Sequence, residues 1–153
     1  MGVSPLFRQS GPQTFQVLST SAVVAGTLVE YVTESSTTKI QPAGLTSVKV
    51  AGIAQDDAVG TYSAGTSITY GTGVTRQALD ASVVGDTISV AKSGVWTLTA
   101  GGTIAAFDVL KAGAAGTVVT WVSGTDTPAA IVGIAQAAIA SGSTGPVELR
   151  LGV

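Results

Sequence analysis

The sequence predicts an all-β protein with little helix, built on an internal duplication. Two observations carry this. Gly, Ala, Val, Ser and Thr dominate and charged residues make up 10%, and Val/Thr-rich segments punctuated by Gly read as short strands joined by turns. The tetrapeptide Gly-Ile-Ala-Gln also occurs twice, at Gly52-Ile53-Ala54-Gln55 and Gly133-Ile134-Ala135-Gln136, a spacing of 133 − 52 = 81 residues. Extended without gaps, that register keeps apolar opposite apolar: Trp96 falls on Phe15, Leu98 on Val17, Val109-Leu110 on Leu28-Val29, Trp121 on Ile40, Ile131 on Val50 and Leu149 on Ile68.

Taken in order, residues 1–14 show neither strand nor helix periodicity. Pro5 and Pro12 disfavour helix and extend the chain before them. The stretch reads either as an extended arm carrying Leu6, Phe7 and Arg8 or as a frayed end; an apolar Leu6-Phe7 pair is wasteful on a free tail. The β domain follows over 15–153, with repeat halves at about 15–72 and 96–153. In the first half, Phe15 to Leu18, Leu28 to Val32, Val48 to Ala54 and Ser67 to Tyr70 read as strands, and Pro42-Ala43-Gly44 turns the chain. The joining section 73–95 has no partner in the repeat. Asp86 to Val90 alternates, Lys92-Ser93-Gly94 makes a tight connection, and Val95 to Leu98 completes an expected hairpin. The second half closes on Val147, Leu149 and Leu151 facing one way and Glu148 and Arg150 the other. Ala135 to Ala140 has room for one helical turn and no more.

Within the repeat, Gly52 and Gly133 are expected where backbone or side chains approach closely. Ile53 and Ile134 are expected to point to the core. Gln55 and Gln136 are expected to bond the chain as it leaves the strand. These are scaffold positions.

Composition bounds function. The 153 residues fit one domain or two small intimate halves, long enough to bury a core without covalent staples. There is no cysteine, so neither disulfide nor thiolate metal site. There is no histidine, which removes the commonest general base and metal ligand together. Serines and threonines therefore lack their usual activating base. Asp56-Asp57 is the one adjacent acidic pair; in an extended chain the two point opposite ways, the second half has Ala137-Ala138 there, and they read as solvated loop acids. Gly71-Thr72-Gly73 lacks the Lys-Ser/Thr of a phosphate loop and reads as a turn. Trp96 and Trp121 read as core or interface aromatics, with a stacking platform as the other reading. No catalytic role, metal or cofactor is expected. The net charge of −2 is scattered, without a basic patch for nucleic acid, and no apolar run approaches the ~18 residues of a membrane span. So little charge suggests either that other subunits cover much of the surface or simply a Ser/Thr-coated β protein.

One passage carries a resemblance. Ala130-Ile131-Val132-Gly133-Ile134-Ala135-Gln136-Ala137-Ala138, a short Gly/Ser link, then Gly145-Pro146-Val147-Glu148-Leu149-Arg150-Leu151-Gly152, resembles the capsid decoration (cement) proteins of tailed bacteriophages. The match runs over about 105–153 and more weakly over 25–71; the arm and joining section match nothing in that family. The resemblance implies a compact β-barrel or β-tulip-like domain, usually a homotrimer. It implies a place on the outer surface of the virion capsid, where neighbouring major capsid proteins are clamped. The other readings are a tail, fibre or adhesin β module that binds glycans, and a small-molecule-binding barrel.

Overall fold

Strands form where small and β-branched residues alternate with Thr, Ser and charged ones, and Gly-containing turns separate them. A computed structural model describes residues 13–62, 67–69, 71, 73, 75–77 and 83–151. The anchors Leu6, Phe7 and Arg8 lie outside the described residues.

The strands in chain order are β1 (Gln13–Gln16), β2 (Ala22–Val23), β3 (Leu28–Glu34), β4 (Thr37–Pro42), β5 (Val50–Ala54), β6 (Ala58–Val59), β7 (Thr61–Tyr62) and β8 (Ser67–Thr69). They continue as β9 (Thr75–Gln77), β10 (Val83–Val84), β11 (Thr87–Ala91), β12 (Ser93–Thr99), β13 (Val109–Ala112), β14 (Val118–Thr120), β15 (Ile131–Ala135) and β16 (Thr144–Arg150). Helix among the described residues is confined to two 3-10 turns, Ala114–Gly116 and Pro128–Ala130. The segment after Ala135 does not make the helical turn allowed for it.

Two five-stranded sheets dominate, ordered β1-β11-β5-β3-β4 and β12-β16-β15-β13-β14. Four strands of the first lie 81 residues before their positional counterparts in the second: β1 and β12, β3 and β13, β4 and β14, β5 and β15. Small pairs β2-β6, β7-β10 and β8-β9 complete the described pairing. The two large sheets do not close into a barrel. In each, the outer strands touch at one end through a single parallel bridge, Val17 to Ile40 and Ala100 to Val118. Strands as short as β1 and β14, 4 and 3 residues, offer too little length for a closing ladder.

Two further expectations are corrected. The hairpin over 86–98 does not form: β11 pairs with β1 and β5, and β12 pairs with β16. Ile88 and Val90 belong to one core and Leu98 to the other, so pairing β11 with β12 would pull one set out of its core. The alignment of Leu149 with Ile68 also fails in space. The place beside β5 that β16 holds beside β15 is taken by β11, while β8 pairs with β9. The connection that carries the chain there has 87 − 54 − 1 = 32 residues in the first half and 144 − 135 − 1 = 8 in the second.

Each sheet folds over its own core. Val17, Val29, Ile40, Ala51, Ala54 and Val90 fill the first. Leu98, Ile104, Leu110, Val132, Val147 and Leu149 fill the second, and Leu28, Ala43 and Ile53 of the first half join them there. The first half thus buries one face of β5 on itself and the other on the second half. Burial of Leu28 and Ile53 contributes roughly 1.5–3 kcal/mol each, which ties the halves together. No described buried side-chain polar atom lacks a hydrogen bond.

Candidate functional site

The paired glycines set the inner spacing. A Cβ on Gly52 would stand 2.1 Å from the Ala91 carbonyl oxygen, and one on Gly133 would stand 2.2 Å from that of Glu148. Neighbouring strands therefore approach over bare backbone in both halves. The main chain then leaves the two strands alike: the Gln55 N–H donates to the Ser89 carbonyl and the Gln136 N–H to that of Pro146. The Gln136 side chain also donates to Glu148, at 2.9 Å.

The isoleucines between them part company. Ile53 is fully buried against the second core, whereas Ile134 is half-buried and outside both cores; the expectation that Ile134 points to the core is corrected. On β15, Val132 and Ala135 take the core side, leaving Ile131 and Ile134 outward. On β13, Leu110 is buried and Val109 half-exposed. The outer side of β13 and β15 is thus an apolar patch of Val109, Ile131 and Ile134. Its counterparts in the first half, Leu28, Val50 and Ile53, pack against the second half.

A turn at the rim of this patch sharpens the contrast. In the first half, residues 24–27 turn with Gly26 at φ +79°, held by Gly26 N–H to Ala54 carbonyl at 2.9 Å and Ala54 N–H to Thr27 carbonyl at 3.0 Å. In the second half, residues 105–108 make the same bonds 81 residues on: Phe107 N–H to Ala135 carbonyl at 2.8 Å and Ala135 N–H to Asp108 carbonyl at 3.0 Å. Here the left-handed position is a phenylalanine, at φ +69°, a backbone state that costs a bulky L-residue about 1–2 kcal/mol. Phe107 is also 72% exposed. Strain combined with apolar exposure is what a monomer alone would avoid. Nothing in the sequence read alone marked Phe107; the signal was available as its alignment with Gly26.

Charges flank the patch. Lys111 on β13 donates to Asp126 at 2.6 Å, and the Val122 N–H donates to the same carboxylate at 2.8 Å. The Lys111 bond, then the Val122 bond, holds the Asp126 carboxyl below its usual range. In the first half, burial pushes Glu30 up, but bonds from Ser47, Gln41 and the Gly44 N–H, with the Lys49 charge, outweigh it and leave the carboxyl lowered. Glu34 is lowered by hydrogen bonds from Lys39 and Ser19.

Other candidate groups are engaged structurally. Trp96 and Trp121 are half-buried, with their indole N–H groups on the carbonyls of Ser93 and Thr127, at 2.8 and 3.0 Å. Asp57 is no free loop acid: it accepts from the Ala25 N–H at 2.7 Å, while Asp56 is exposed. The chain holds two Ser-x-x-Lys spacings, Ser36 to Lys39 and Ser89 to Lys92. Lys39 is paired with Glu34, and Lys92 lies over the rings of Phe15 and Tyr31, 5.9 and 5.5 Å from their centres. A groove of about 680 Å³ lined by Tyr31, Val32, Thr33 and Thr38, with Glu30 and Lys49, is open to solvent. Among the described residues no group of three acidic, His or Cys side chains gathers as metal ligands, and no helix is long and apolar enough to cross a membrane.

No protein-family model matches the chain, and no curated protein does. Among solved structures it is similar to the N base of the head fiber gp8.5 of bacteriophage phi29, with 19% identity and a TM-score of 0.59, covering 91% of this chain and 94% of that one. At that identity the likeness is one of fold, and it spans both halves.

Proposed function

We propose that this chain is a structural protein of a tailed-bacteriophage head, bound to the outer surface of the capsid, where it cements neighbouring major capsid proteins. The observation that carries the reading is the fold shared, over nearly the full length of both chains, with the base of a phage head fiber. The independent sequence resemblance to decoration proteins over 105–153 supports it. In this reading the protein is not an enzyme and takes no cofactor. It acts mechanically, as a homotrimer whose weak contacts with the shell are multiplied by valency. The arm 1–14, with Leu6, Phe7 and Arg8, adds contacts to the shell by extended-chain pairing.

The head-fiber likeness specifically favours a second reading, in which the chain is the base of a surface fibre rather than a clamp. Incubating purified chain with expanded empty capsids of its phage separates the two. Cementing raises the temperature at which the shells come apart; a fibre base binds without raising it. Absence of any shell binding ends both readings. Unchanged occupancy after deletion of residues 1–14 ends the role of the arm alone.

A further inference from the structure

We infer that the apolar face of Phe107, Val109, Ile131 and Ile134 is a head-to-tail docking surface for a second copy of this chain, which repeats between molecules the contact its two halves make within one. This deepens the self-association named above by giving it a surface and a polarity.

The reasoning starts from the contact already made. The outer side of β3 and β5 is covered by the second half: Leu28 and Ile53 are buried in the second core. The seam is closed by Thr46 N–H to Ala112 carbonyl at 2.9 Å and Gly116 N–H to Ala43 carbonyl at 3.0 Å. At its rim, a Cβ on Gly26 would stand 3.9 Å from the Thr97 carbonyl oxygen. Shifted by 81 residues, the covered face becomes Val109 and Ile134, and the rim becomes Phe107. That face carries the same apolar chemistry on the same two strands, yet it belongs to neither core: Val109, Ile131 and Ile134 are half-buried and Phe107 is exposed.

The covering surface has counterparts too. Thr97, Ala112 and Gly116 correspond to Gln16, Tyr31 and Ser35 of the first half, which are half-buried, half-buried and exposed. One chain therefore carries an uncovered face at its second half and a covering face at its first. These are different patches, so the contact is heterologous and continues from copy to copy until it closes. Phe107 explains itself in this arrangement. Gly26 lies beside its own chain, where a small residue suffices; the aromatic at the matching turn is an anchor of the kind that dominates interfaces.

The test uses the full isolated chain, without capsids, so its failure leaves the shell-binding reading standing. Sedimentation velocity from low micromolar to several hundred micromolar should show concentration-dependent association. Ile134→Asp and Phe107→Gly should each weaken it about tenfold or more, with unchanged circular dichroism; Phe107→Gly removes the backbone strain, so it keeps the test open if the aspartate variant misfolds. Because the chain has no cysteine, direction can be read by cross-linking. At high protein concentration the Gln16→Cys/Phe107→Cys double variant should form disulfide-linked multimers on mild oxidation, while Phe107→Cys alone should form no disulfide-linked species. A monomer at every concentration overturns the inference. So does association unaffected by both substitutions, efficient dimerisation of Phe107→Cys alone, or association lost only when residues 1–12 are removed.

Discussion

The two halves place near-identical strands in near-identical order, yet bury them differently. Ile53 and Ile134 sit in the same tetrapeptide, after glycines where an added Cβ would stand 2.1 and 2.2 Å from the backbone of the next strand. Ile53 is sealed by the other half; Ile134 stays half-buried, outside both cores. Gly26 and Phe107 sit at the same left-handed turn position, one able to relax there and the other strained. The difference teaches that a repeated strand pattern sets which residues are apolar on each side, while the neighbour decides which of those sides is core.

The contrast can be broken most forcefully at the isoleucines. Ile53→Ala should destabilise the chain by about 4 kcal/mol, as a large-to-small change in a filled core. Ile134→Ala in dilute protein should cost less, about 1–2 kcal/mol, because its side chain is only partly buried and belongs to neither core. Urea unfolding curves measure both, and equal losses would erase the asymmetry. The glycines come next. Gly52→Ala should cost roughly 3 kcal/mol, since it meets a carbonyl and adopts φ +148°. Gly133→Ala should cost less, roughly 2 kcal/mol, because only the close approach opposes it. The turn gives opposite signs: Phe107→Gly should stabilise the monomer by up to about 1 kcal/mol, and Gly26→Ala should destabilise it by about the same amount.

The smallest effect is electrostatic and falls in acid. Glu30, Glu34 and Asp126 all have carboxyls held below their ordinary values in the fold. A lowered folded value means that the unfolded chain takes up protons first as pH falls. Their stabilisation is therefore complete above the usual carboxylate range, near pH 4, and is lost as pH falls through the folded values. Without histidine, no side chain with an ordinary value titrates between about pH 5 and 8. Thermal melts should be flat across that window and fall below it, and Asp126→Asn should make the fall shallower.

Much of the architecture was legible. The Val/Thr/Gly composition gave the β class. The final strand, Thr144–Arg150, could be read from its alternation because Val147 and Leu149 face a core while Arg150 faces water. The hairpin expected over 86–98 does not form, for a physical reason. A tight connection flanked by alternating strands fits a hairpin, and it fits equally well a crossing between two sheets that each need one of those strands. Ile68 matched Leu149 by chemistry, but chemistry alone does not say that β11 outcompetes that segment for the place beside β5.

By itself, the sequence determined the β class, the alternation of the longer strands, and that no histidine or cysteine chemistry is available. Those properties are local: they follow from side-chain period, turn residues and composition. The tertiary structure alone decided that β11 and β12 part into different sheets, that Ile53 is covered and Ile134 is not, and that Phe107 stands strained in water where its counterpart is glycine. Each of these depends on what packs against a strand from far away in the chain, and a period-2 pattern carries no record of its partner.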